Sequence, residues 1–315
     1  MNPHKSLVER LNSKNYITSE KTYDENFYTD SIFNLLEDDS ISNVKGGFNN
    51  PSDNFNRFKD IISDPNNLYI NRVVNAGVIE GDTITLHNGI KVSTEYYGNF
   101  IEILKHNLGV HEPSEERAFQ KVLSKLKKGS VMIELGSYWS MYSIWFMKTI
   151  EDSISYCIES DDRNMDVGIK NFELNGLNPN FIQGKISKKD FNPLNFFIKN
   201  NLEKIDILHS DIQGYEIEML EMIQPYLSEK KIKYLFISTH SNPLHYGCIS
   251  FLKENGYKIL CSCDFDNESF QYDGFILACP DDLFEIDEFK VGNRSKTELI
   301  SDEELFKIIN NKLNG

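Results

Sequence analysis

From Glu115 onward, short apolar runs alternate with helical periodicities, and this alternation restricts the possible folds more than any other feature of the chain. Phe119, Val122, Leu123 and Leu126 recur at i, i+3, i+4 and i+7, one face of a helix that Gly129 ends. VMIEL at residues 131–135 reads as a buried strand, followed by a helix at 141–150. SISYCI at 153–158 is a second strand, and 163–174 a helix with Met165, Ile169 and Phe172 inward, stopped by Asn175-Gly176. A short third strand begins at Phe181-Ile182, a helix covers 194–200, and IDILH at 205–209 is a fourth strand. Residues 216–227 read as one helix with Met219, Leu220, Ile223 and Leu227 on one side. KYLFIS at 233–238 is a fifth strand, and 244–254 a helix capped by Gly256. Such alternation specifies a parallel sheet with helices on both faces.

The pattern changes at its end. Residues 257–262 and 274–279 are apolar, while CDFDNESFQYD between them is polar and lacks a helical period. A parallel crossover needs about a dozen residues or more, usually with a helix. The two runs are therefore expected to form a hairpin, which gives a mostly parallel α/β sheet one antiparallel terminal strand. An ordinary dinucleotide-binding sheet does not end that way; a Rossmann-like class I methyltransferase sheet does.

Upstream, residues 1–75 are rich in Asn, Asp, Ser and Tyr, with short helical pieces expected at 31–36 and 55–62 and a loop at 46–53 (GGFNNPSD). Residues 83–87, Asn88-Gly89 and 90–92 carry a β-hairpin signal, with Asn-Gly suited to a type I′ turn. Ser301 and Glu304 make a capping box, and Leu305, Ile308 and Ile309 one face of a terminal helix. The expected domains are an N-terminal appendage at 1–110, the main domain at 111–282 and a helical extension at 283–315.

Charge and cysteine usage narrow the partners. Lys and Arg number 33 against 48 Asp and Glu, a net charge of −15. That leaves no electrostatic footprint for nucleic-acid backbones or anionic membranes. No stretch reaches the ~18 apolar residues of a membrane span, and MNPHKSLVERLNSKN holds no apolar signal-peptide core. Cys157, Cys248, Cys261, Cys263 and Cys279 are odd in number and form no CxxC pair. Reduced thiols in a cytoplasmic core fit better than disulfides or structural zinc. No oligomeric state is specified.

The turn after the first strand is Glu134-Leu135-Gly136-Ser137-Tyr138-Trp139-Ser140. In open α/β sheets ligands bind where strand ends feed such turns. A pyrophosphate would need several glycines and exposed N–H groups, but Tyr138, Trp139 and Ser140 occupy those places. A phosphate-free cofactor such as S-adenosylmethionine suits the turn, with Gly136 letting the backbone approach its amino-acid end. Glu159, followed by Ser160, closes the second strand. A carboxylate there can accept both ribose hydroxyls; a cap or a solvated acid is the plain alternative.

VMIELGSYWSMYSIWF, YCIESDDRNMDVGIKNFELNG and IDILHSDIQGYEIEML together resemble the FkbM-type methyltransferases, over residues 115–280. Glu134, Gly136, Tyr142, Ser143, Glu159, Asn171, Asn175, Asp211, Gly214 and Glu216 match that pattern. Ser140 replaces a glycine, Ser210 a Lys and Gln213 a Glu. The resemblance implies S-adenosylmethionine-dependent methyl transfer, commonly to a hydroxyl of a sugar, polyketide or other natural product. It implies cofactor contacts from Glu134, Gly136, Ser137, Tyr138, Ser143, Glu159, Ser160 and Asp211.

An alcohol acceptor gains from a general base or a metal. Candidates follow the fourth strand (His209, Ser210, Asp211) and the fifth (Thr239, His240, Ser241, His245). Asp211, His240 and His209 are the expected catalytic residues. A divalent cation on this histidine-rich group with Asp211 and Glu216 is the alternative. His111 and Glu112 precede a helix that Ser114 is expected to cap, and are further candidates for touching cofactor or acceptor. The expected substrate is a small sugar or glycan precursor. If it is nucleotide-linked, Lys185, Lys188 and Lys189 would be its basic pocket. A catalytically silent binding protein of this fold and a methyltransferase of another natural product are the competing readings. A nicotinamide oxidoreductase is opposed by the bulky turn and the terminal hairpin.

Overall fold

The computed structural model describes residues 60–97, 101–292 and 294. The features expected at 31–36, 46–53 and beyond 300 lie outside the described residues, as do residues 55–59 of the helix expected at 55–62. The chain divides into two units, 1–117 with 293–315, and 118–292.

In the first unit a 3-10 turn, Pro65–Tyr69, precedes strands β1 (Ile79–Glu80), β2 (Thr83–Thr85) and β3 (Lys91–Ser93), an antiparallel sheet in that order. Ile84, Leu86, Ile90 and Val92 are buried beneath it. The β2–β3 hairpin does not close through the expected type I′ turn, because only Gly89 of the Asn-Gly pair has positive φ (+85°). Gly89 N–H donates to Leu86 O at 3.0 Å and Leu86 N–H to Ile90 O at 2.7 Å. This is the three-residue loop in which a turn is followed by a left-handed glycine. Helices α1 (Thr94–Tyr97), α2 (Ile101–His106) and α3 (Pro113–Leu123) follow, and α3 leads into the second unit.

The second unit holds β4 (Val131–Leu135), α4 (Met141–Thr149), β5 (Ile154–Glu159), α5 (Asp162–Leu174), β6 (Phe181–Gln183), α6 (Pro193–Lys199) and β7 (Ile205–Ser210). It continues with α7 (Glu216–Met222), α8 (Gln224–Ser228), β8 (Ile232–Thr239), α9 (Asn242–Glu254), β9 (Tyr257–Cys263) and β10 (Gly274–Pro280). The sheet order is β6-β5-β4-β7-β8-β10-β9. Strands β4 to β8 pair in parallel, and β10 runs antiparallel to both β8 and β9. This is the class I methyltransferase, Rossmann-like arrangement expected from the sequence. Its parallel strands are buried nearly throughout because helices cover both faces.

One expected helix is interrupted. The apolar face at 216–227 suggests a continuous helix, but α7 and α8 break at Ile223. Pro225 enforces this, since it lacks an N–H and its ring clashes with the preceding turn. No helix among the described residues is long and apolar enough to cross a membrane.

Candidate active site

Because β4, β5, β7 and β8 run in parallel, their C-terminal ends share one rim of the sheet. The turn after β4 is tightly determined. Gly136 has φ +73°, and a Cβ built there would lie 1.9 Å from the Asp211 carbonyl oxygen. Glycine is thus required first by the approach of the loop after β7, a reason other than the expected room for a ligand. The N–H groups of Gly136 and Ser137 both donate to Ile158 O, at 2.9 and 3.0 Å. Tyr138 and Ser140 also have positive φ, +46° and +63°. Ser140 therefore keeps the left-handed backbone that the glycine of the FkbM-type pattern would adopt more easily.

Glu159 ends β5 with its carboxylate turned to this loop. Oε2 accepts from Tyr138 N–H at 2.9 Å, and Oε1 from the N–H groups of Ser160 and Asp161 at 2.8 and 2.9 Å. The Ser160 side chain is exposed and Ser137 is buried. Glu134 and Ser143 lie deeper. Ser143 Oγ donates to Glu134 and lies 2.7 Å from Ser155 Oγ, and Cys157 Sγ donates to Ser143 Oγ at 3.3 Å. Burial and the Glu134 charge push the Cys157 thiol upward. Glu134 and Ser143 thus form a buried brace joining β4, β5 and α4.

His209 does not join the rim group. Its ring centroid lies 4.4 Å from that of Tyr142 and 6.1 Å from that of Phe236, and burial pushes its pKa down. β7 ends at Ser210, so the strand face that His209 was expected to share with Asp211 is not continued.

Four residues do converge. His240 follows β8, with Nδ1 2.9 Å from Glu216 Oε1 and Nε2 3.2 Å from Asp211 Oδ1 and 3.4 Å from Asp273 Oδ1. Glu216 is fully buried, Asp273 buried and Asp211 about one-third exposed. Burial opposes charge on His240, but the hydrogen bonds its ring donates to Asp211 and Glu216 and the nearby carboxylate charges outweigh it and raise its pKa to about 10. At neutral pH the ring is an imidazolium with no lone pair for a proton. Both ring nitrogens of His240 thus face carboxylate oxygens, an arrangement that suits a donor better than the base expected from the sequence. Gln213 Nε2 donates to Asp211 Oδ1 at 3.0 Å, a donor that an ionised glutamate at that position could not supply.

Asp273 joins the group without a sequence motif of its own. It lies just before β10 at the end of the polar CDFDNESFQYD segment, where the only signal is the density of acids. His245 is buried, with Nδ1 2.9 Å from Thr239 Oγ1, and burial lowers its pKa to about 4. Ser241 caps α9. In the first unit, the His111 and Glu112 N–H groups donate to Glu116 Oε1, and Ser114 lies inside the first turn of α3 instead of capping it. Lys188 pairs with Glu221 at 3.5 Å and Lys185 lies 4.7 Å over the Tyr215 ring, both on the surface.

No protein-family model matches the chain, and no curated protein does. Similar solved structures include the MTase domain of METTL16, 15% identical over 55% of this chain and 70% of that one, with a TM-score of 0.42. Precorrin-6y C5,15-methyltransferase of Geobacter metallireducens GS-15 is 12% identical over 52% of this chain and 87% of that one, at 0.39. M. capricolum TrmK in complex with S-adenosyl-homocysteine is 20% identical over 53% of this chain and 71% of that one, at 0.37.

Proposed function

We propose that this chain is an S-adenosylmethionine-dependent O-methyltransferase acting on a hydroxyl of a small sugar or glycan precursor. The observation that carries the reading is the backbone approach of Gly136 to Asp211. It sets the Glu159-held loop directly beside the Asp211–His240–Asp273 group, within a sheet of methyltransferase order.

The donor set is compatible with the cofactor. Glu159 Oε2 accepts one backbone hydrogen bond, which leaves acceptor capacity for a ribose hydroxyl. Ser137 Oγ is buried with no hydrogen-bond partner among the described residues. S-adenosylmethionine would supply an electrophilic methyl group when bound. The chain's own residues would orient the acceptor and accept its hydroxyl proton on Asp211, with the His240 imidazolium holding that carboxylate in place. The three carboxylates and the imidazolium are partners for uncharged hydroxyls. They favour a neutral sugar over a nucleotide-linked one.

Titration calorimetry with S-adenosylhomocysteine tests the reading. The wild-type chain is expected to bind, and Glu159→Ala to bind more weakly by ~1.5–3 kcal/mol, the loss of a charge-assisted hydrogen bond. A wild-type chain that binds no S-adenosylhomocysteine would leave a silent scaffold. Mass spectrometry of products from a panel of free and nucleotide-linked sugars then identifies the acceptor.

A further inference from the structure

We propose that Asp211, His240 and Asp273 form a divalent-cation site, with Glu216 as the residue that orients His240. The ligand atoms of the three lie within 4.8 Å of one another. They come from three separate places in the chain: the loop after β7, the end of β8 and the residue before β10. The inference rests on the methyltransferase reading only for what the cation does, not for whether it binds.

Three features make this more than a collection of acids. The first is the histidine itself. Its Nδ1 faces Glu216 and its Nε2 faces the gap between two carboxylate oxygens, at 3.2 and 3.4 Å. A metal-ligating histidine commonly donates its other N–H to a carboxylate in this way, which fixes the tautomer and aims the lone pair. The second is Glu216. It is wholly buried, and while its Oε1 is held by Gly214 N–H and His240, its Oε2 has no hydrogen-bond partner among the described residues. The third is the donor set. One imidazole nitrogen faces two carboxylate oxygens from separate parts of the chain, and solvent reaches mainly Asp211. A divalent cation there would be met by ligand types it accepts.

One imidazole nitrogen with carboxylate oxygens suits Mn²⁺, and Mg²⁺ by its oxygen share. A cation here would bind the acceptor hydroxyl and lower its pKa, leaving the second oxygen of Asp211 to take the proton.

The test uses the full chain, freed of metal by a chelator and titrated with Mn²⁺ alone while free Mn²⁺ is followed by electron paramagnetic resonance. One Mn²⁺ per chain is expected, with affinity reduced at least about tenfold in Glu216→Gln, as for other residues that orient a metal ligand. Asp273→Asn is expected to lose the site. Wild-type protein that binds no stoichiometric Mn²⁺ overturns the proposal whatever the variants do. So does equal binding by wild type and a folded Asp273→Asn. S-adenosylhomocysteine calorimetry on the same metal-free samples separates the two readings. Cofactor binding without Mn²⁺ binding removes the cation site alone, and the reverse removes the methyltransferase assignment alone.

Discussion

Replacing Gly136 by alanine tests the contact on which the rim is built. The substitution adds one carbon and costs twice. A Cβ at φ +73° pays about 1–2 kcal/mol for the left-handed backbone. It also lies 1.9 Å from the Asp211 carbonyl oxygen, whereas a carbon–oxygen contact needs about 3.3 Å. The two loops must therefore separate by more than about 1 Å, which strains the Asp211 N–H to Leu135 O bond or the pair that Gly136 and Ser137 donate to Ile158 O. Each such bond contributes about 0.5–1.5 kcal/mol. With the pair lost, the total is about 2–5 kcal/mol, or roughly 4–20 °C in Tm for a unit of this size. Gly176→Ala supplies the control: φ there is +68°, but nothing lies within 4 Å of the added carbon, so only the backbone cost remains. Melting both variants by circular dichroism isolates the clash. If Gly136→Ala melts within about 2 °C of Gly176→Ala, the close approach is wrong and so is the coupling of the two loops drawn from it.

Two further predictions follow from the same unit. Ser140→Gly relieves a left-handed residue at φ +63° and is expected to raise stability by about 0.5–1 kcal/mol, read as a higher urea midpoint at unchanged m-value; a lower midpoint would mean the serine hydroxyl outweighs the strain. His245 has a folded pKa lowered to about 4 by burial, so the unfolded chain binds the extra proton between about 6.5 and 4. Stability is expected to fall as pH drops through that window, by up to about 3 kcal/mol, and a His245→Asn chain with the same pH slope would show that another group titrates.

The succession and direction of the strands were legible because each parallel strand is an apolar run bounded by a helical period. VMIEL became β4 at the same residues. The antiparallel β10 was legible from the lack of a helix in the segment before it. Local exceptions were harder to read. The apolar stripe from Met219 to Leu227 carries helical spacing straight across Ile223, and only the backbone chemistry of Pro225 shows the break. At the site, Asp211 and His240 were readable because both follow strands and so must reach the rim. Asp273 was not, because it precedes its strand in a segment without periodicity, and the antiparallel direction of β10 is what returns it to the same rim. His209 was misplaced for the converse reason. It sits near a strand end, but its ring lies inward against Tyr142.

Burial gives the rim group a meaning that position alone does not. A buried ion pair is often no more stable than an apolar replacement of equal volume, and replacing one can stabilise by about 1–4 kcal/mol. Here a fully buried glutamate, a buried aspartate and a charged histidine stand together, with more negative than positive charge among them. Packing gives no reason for that composition, since Leu208, Ile212 and Leu220 show that apolar side chains fill neighbouring positions of the same strand, loop and helix. A group that costs stability in the free protein regains it when something binds to the folded state alone. Asp211 also lies on a loop whose backbone meets that of the turn after β4 at Gly136. A ligand that orders the turn after β4 therefore acts on the backbone that carries Asp211. Cofactor occupancy and the rim's affinity for its own ligand are then expected to be linked, and linkage requires each to change the other's affinity by the same factor.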